Sequence, residues 1–205
     1  MDSVRLANAV ISAVLQVALL GGVPLAAYYF YHRWRHGRTF REVAQRAGLQ
    51  VGDPRYLAYS AVFALIVAIT VLVWSPPLEP LTRTGSAQHQ FAGLGLGLPA
   101  LALAFLNGVV QTAFAEELLF RGLIAGSLAR SLAFVWANLT QALIFLLPHL
   151  AILRVAPELW GILPVVFLGA LLFGWVRIQS GSIFGSWLIH ASGNVTMALM
   201  VAART

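Results

Sequence analysis

The sequence predicts an all-α protein, a polytopic transmembrane helical bundle of about six spans, and three observations carry that prediction. Of the 205 residues, 60% are hydrophobic and 10% charged, with a mean hydropathy of +0.82, too small a polar complement to coat a water-soluble domain of this size. The apolar residues gather into about six stretches close to the ~20 residues that cross a bilayer, joined by short polar connections. These stretches are continuous rather than alternating in ~10-residue segments, which argues against an outer-membrane barrel. With no internal repeat or low-complexity tract, residues 1–205 read as one integral membrane domain.

The first apolar run, about Leu6 to Tyr31, is too long for a signal-peptide core and lacks a small-residue cleavage site, so it reads as a retained span. Six of the thirteen arginines (Arg33, Arg35, Arg38, Arg41, Arg46, Arg55) follow in one segment. The net charge of +6 is therefore a topology signal that faces anionic headgroups, not a nucleic-acid surface. A second span runs from about Leu57 to Trp74, and the Ser-Pro-Pro start of Ser75 to Gln90 marks an exposed loop. The apolar segment from Phe91 to about Ala129 exceeds one crossing, and Gly93, Gly95 and Gly97 within it are expected to form a small-residue packing face. Further spans are expected at Leu132 to Leu153, Leu159 to Val176 and Ile183 to Ala203. An outside N-terminus puts nine arginines on the inner side and four (Arg5, Arg83, Arg154, Arg204) outside, which favours six spans with both ends outside. The arginine-only basic complement and the topology point to a bacterial plasma membrane.

The absence of cysteine removes disulfides, thiolate metal sites and a cysteine nucleophile, so any nucleophile is oxygen or water. Within the apolar runs stand Glu116, Glu117 and Arg121, then His149, then His190. A charge at mid-bilayer costs ~2.5–3.5 kcal/mol on insertion scales, so these residues need partners or a wet cavity. Glu117 and Arg121, four apart, can neutralise each other on one helix face, which leaves Glu116 as the unpaired carboxylate. Phe145 with His149 and His190 with Asn194 share faces by the same spacing. If the long helix turns back near Ser131, Glu116 and His149 come side by side about 22 Å from the turn, while His190 lies about 13 Å from a turn near Ser180, a mismatch of about one and a half helical turns. A carboxylate and two imidazoles suit water activation by a general base, with Asn194 as a neutral donor to an oxyanion. Glu116, His149 and His190 are also a zinc ligand set, and spacing leaves both readings open. Taken singly, each residue has a plainer role: Glu117 with Arg121 as a structural ion pair, a lone histidine as a packing residue, and Asn194, Gln111, Thr140 and Gln141 as interhelical glue.

Together the three elements resemble the CPBP family of intramembrane endopeptidases, the CAAX-protease and bacteriocin-processing group also called Abi. Its pattern, Glu-Glu-x-x-x-Arg, then Phe-x-x-x-His, then His-x-x-x-Asn or Asp, reads here as Glu116-Glu117 to Arg121, Phe145 to His149, and His190 to Asn194, in a motif-bearing core of about 91–203. The resemblance implies that Glu116 and His149 activate the attacking water and that His190 and Asn194 stabilise the oxyanion, with Glu117, Arg121 and Phe145 in support. It implies no obligatory metal or other cofactor, and a membrane-associated or exported protein or peptide as substrate, of CAAX, bacteriocin or C-terminal sorting-signal type. The rival expectation is a non-enzymatic scaffold, immunity protein or carrier that keeps the polar cluster for packing or proton relay. The sequence specifies neither substrate nor oligomeric state.

Overall fold

The computed structural model describes residues 3–74 and 77–205, and among them every regular element is helical. Eight helices follow in order: α1 (Arg5–His36), α2 (Phe40–Arg46), α3 (Pro54–Val73), α4 (Leu78–Thr82), α5 (Leu98–Leu128), α6 (Phe134–Val155), α7 (Pro157–Ser180) and α8 (Phe184–Arg204). Five of them, α1, α3, α5, α6 and α7, are long and apolar enough to cross a membrane. The sixth expected span, α8, has 21 residues but is more polar, because it carries Ser186, His190, Ser192 and Asn194. It tolerates them because it packs against α3, α5 and α7 in the middle of the bundle.

Local chemistry sets the helix ends. Gly37 in the left-handed region (φ 67°) stops α1, and its N–H returns to the Arg33 and His32 carbonyls. Thr39 and Glu42 form a reciprocal capping box at α2, Asp53 caps α3 with Pro54 in the first turn, and Gly181 (φ 72°) closes α7. The start of the expected loop at Ser75 and Pro76 lies outside the described residues.

The long apolar segment does not begin as helix at Phe91. Gly93 and Gly95 have positive φ (70° and 67°) with nothing close to them, and helix starts only after Gly97, so these glycines shape a loop rather than a packing face. The packing glycines are elsewhere. A Cβ at Gly174 of α7 would lie 2.0 Å from Asn138 Oδ1 and 2.3 Å from Gln141 Nε2 of α6. The bare backbone there lets Gln141 donate to the Ala170 carbonyl at 2.7 Å and Asn138 to that of Leu171 at 3.0 Å. Gln111 likewise bridges α5 to Ser12 and Gln16 of α1, both at 3.0 Å.

The outward faces are apolar: Leu19, Leu65, Phe105, Leu147 and Leu168 are each more than 60% exposed, as a lipid-facing wall requires and a soluble surface does not. Both chain ends reach one loop, since Arg5 donates to the Gln90 carbonyl and Gly93 N–H donates to Thr205 Oγ1 at 3.1 Å.

Candidate active site

Glu116 sits in the middle of α5 between two stretches of π-helical backbone, Phe105–Phe114 and Glu117–Ala125. Such widened turns recur at functional sites because they redirect side chains. Next to Glu116, the fully buried Glu117 and Arg121 pair at 3.0 Å, as their spacing predicted. The Arg121 guanidinium lies 4.0 Å from the centre of the Phe145 ring and 5.1 Å from that of Phe173, so two aromatic faces replace much of its lost hydration. Phe145 is itself held edge-on by Phe120 at 4.9 Å.

His190 of α8 stands between the two carboxylates. Its Nδ1 donates to Glu117 Oε1 at 3.0 Å, and its Nε2 lies 3.9 Å from Glu116 Oε2. A carboxylate only accepts, so Nδ1 is the donor in that contact and Nε2 is the nitrogen turned toward Glu116. The ring stacks on Phe173 with centroids 5.4 Å apart. Glu117 is therefore both the counter-ion of Arg121 and the group that orients His190. Glu116 has no such commitment, and its Oε2 is buried with no hydrogen-bond partner. The 3.9 Å gap exceeds a direct hydrogen bond but suits one water bonded to both groups.

The nearest charged contact of Glu116 in helix α8 is His190, and among the described residues no hydrogen bond or ion pair joins Glu116 to His149. The depth mismatch has a physical origin in the α7–α8 turn. Ser182 and Ile183 are buried beneath the 47–53 segment, with Ile183 N–H donating to the Gly48 carbonyl at 3.0 Å, so α8 begins inside the bundle rather than at its surface. His149 donates Nδ1–H to the Phe145 carbonyl at 2.8 Å, which leaves its Nε2 as the acceptor when the ring is neutral. Asn194 donates weakly to the Gly108 carbonyl at 3.4 Å and keeps its second amide hydrogen. A Cβ at Gly108 would lie 3.3 Å from that of Asn194, so glycine there lets α8 approach α5.

Phe145, His149, Phe173, His190 and Asn194 all line one cavity of about 550 Å³, the size of a small-ligand pocket, with mostly apolar walls. Glu116 lies behind this wall against His190. The cavity reaches the end of the bundle formed by Gly85 to Gln88 and the α6–α7 connection, opposite the arginine-rich 33–55 segment. Arg83 ties the two parts of this rim together through Glu79 at 2.9 Å and Glu158 at 2.5 Å. Among the described residues, no three His, Asp or Glu side chains gather closely enough to hold a metal ion.

Sequence reasoning missed Phe173. Its position between His190 and Arg121 has no local signal, because in an apolar run every residue is equally apolar. The neighbouring Gly174 is the one mark of close packing there.

Residues 97–196 match the family described as type II CAAX prenyl endopeptidase, Rce1-like. The match covers all three motifs, in a segment of just under half of the chain. No curated protein and no solved structure matches the chain.

Proposed function

We propose that this chain, whose residues 97–196 match the type II CAAX prenyl endopeptidase family, is an intramembrane protease that hydrolyses a peptide bond of a membrane-associated or exported protein, with Glu116 as general base. The observation that carries the reading is the unpartnered Glu116 carboxylate 3.9 Å from the Nε2 of a histidine that lines the cavity. A water held there gives a proton to Glu116 as its oxygen attacks the scissile carbonyl. Glu116 then returns the proton to the leaving amine, so the step balances without a covalent intermediate. His149, with Nδ1–H held by its own helix, offers Nε2 as a second acceptor for that water. His190, oriented by its Nδ1 contact with Glu117, turns Nε2 toward the developing oxyanion, which the second amide hydrogen of Asn194 also reaches. Arg121 and the rings of Phe145 and Phe173 fix this geometry and keep bulk water out. The reaction as written needs no metal.

The apolar cavity walls favour a substrate segment that is apolar or lipid-bearing near the cleaved bond. With the arginine-rich end inside a bacterial plasma membrane, the cavity opens to the outer side and takes exported chains. The test uses the full chain in bilayer nanodiscs, incubated with a library of membrane-associated peptides that includes prenylated C-terminal motifs and read by mass spectrometry. The parent cleaves, and Glu116→Gln does not while unfolding at the same temperature. Full cleavage by a folded Glu116→Gln variant overturns the reading. Lower thermal stability of Glu116→Gln and His190→Ala with no cleavage by the parent supports the packing or scaffold role instead.

A further inference from the structure

The end of the bundle opposite the cavity holds a second polar cluster, which hydrolysis does not use. Arg38 and Arg46 from the α1–α2 region, Arg130 after α5 and Arg177 of α7 converge there with His32 of α1. Arg177, only 6% exposed, donates Nε to the Arg121 carbonyl at 3.1 Å and a terminal nitrogen to that of Arg46 at 2.9 Å. Arg130 donates to Tyr28 Oη at 2.5 Å, to Ser127 Oγ at 3.0 Å and to the Arg46 carbonyl at 3.4 Å. Tyr28 packs edge-on against His32 with ring centroids 4.4 Å apart.

These cations lack counter-charge. Among the described residues, no carboxylate forms an ion pair with Arg38, Arg46, Arg130 or Arg177. Glu42 feels the Arg38 charge only weakly, and its Oε2 is held by the Thr39 N–H at 2.7 Å and the Thr39 hydroxyl at 2.9 Å. Burial, with the Arg46 and Arg38 charges adding to it, pulls the Arg130 guanidinium below its ordinary value against the opposing effect of Tyr28. Three buried nitrogens have no hydrogen-bond partner: His32 Nδ1, Arg38 Nη1 and Arg46 Nε. His32 itself is 7% exposed, so its unmet nitrogen has little access to open solvent, and it feels the charges of Arg46, Arg38 and Arg130. Gathering like charges and leaving donors unmet is unfavourable unless an anion completes the set. Planar guanidinium forks match phosphate oxygens, and the cluster lies at the ends of helices long and apolar enough to cross a membrane.

We propose that Arg38, Arg46, Arg130 and His32 form a phosphate-binding site at the arginine-rich end of the bundle. The phosphate is that of an anionic phospholipid headgroup or of a free phosphate, and the experiment separates the two. The full chain is placed in phosphatidylcholine nanodiscs, and unfolding temperature is followed with inorganic phosphate or with phosphatidylglycerol in the bilayer. The parent and Arg33→Gln/Arg35→Gln, which removes equal charge from the same segment outside the cluster, gain about 5 °C or more at saturation. Arg38→Gln/Arg46→Gln gains less than about a fifth of that. If the double variant does not fold, Arg46→Lys keeps the charge but lacks the fork, and weakens binding about tenfold. Stabilisation by phosphatidylglycerol alone assigns the lipid, and stabilisation by both assigns any accessible phosphate. No stabilisation of the parent by either, or equal losses in the cluster and control variants, overturns the site.

Discussion

Replacing Arg121 by methionine removes a cation while keeping an unbranched side chain between the Phe145 and Phe173 rings. Glu117, fully buried, is then left with only His190 against its charge. Breaking a buried pair from one side costs about 3–5 kcal/mol, because the remaining ion keeps its desolvation penalty. The lost cation–π contacts, about 0.5–2 kcal/mol, are roughly replaced by sulfur–aromatic contacts of about 0.3–1.5 kcal/mol. For a chain of this size the net loss lowers the unfolding temperature by about 6–20 °C. Adding Glu117→Gln removes the stranded charge, so Glu117→Gln/Arg121→Met recovers most of that stability. It does not recover activity, because a neutral amide in place of the Glu117 carboxylate holds the His190 ring less firmly through its Nδ1 contact. Thermal or denaturant unfolding in mild detergent checks the first two values, and turnover checks the third. A single variant within about 1 kcal/mol of the parent, or a double variant as unstable as the single one, refutes the reasoning.

Three further outcomes follow from other parts of the molecule. Gly174→Ala forces a methyl group to within 2.0 Å of Asn138 Oδ1 and costs about 2–4 kcal/mol in overpacking and lost α6–α7 hydrogen bonds, measured by unfolding. The Thr39 backbone and hydroxyl hold the Glu42 carboxyl below the ordinary 4.5, so the capping box contributes stability above pH 4.5 that fades as pH falls through the lower folded value; Thr39→Ala shifts the Glu42 titration upward in a carboxyl-resolved NMR experiment. Chelator treatment leaves cleavage unchanged, whereas inactivation with rescue by Zn²⁺ would assign Glu116, His149 and His190 to a metal instead.

The spans and the three motifs were legible in the sequence because both depend on local properties, namely runs of apolar residues and residues three or four apart on one face. The Glu117–Arg121 pair was legible for the same reason. The meeting of Glu116 with His190 was not, since antiparallel depth arithmetic assumes that every turn lies at the bundle surface, and Ser182 and Ile183 are buried under the 47–53 segment. Gly93 and Gly95 misled because a glycine-rich apolar stretch looks alike whether it packs as helix or turns with positive φ. Phe173 and Arg177 carried no pattern of their own, and their roles come from helices distant in sequence.

The most direct test of Glu116-dependent proteolysis compares the termini of membrane and exported proteins by mass spectrometry from cells that carry the parent chain, Glu116→Gln, or no copy. The account predicts at least one terminus that is present with the parent and lost alike with Glu116→Gln and with the deletion, while the variant accumulates to the parent level. Identical termini in all three cells, with the variant well expressed, would contradict it.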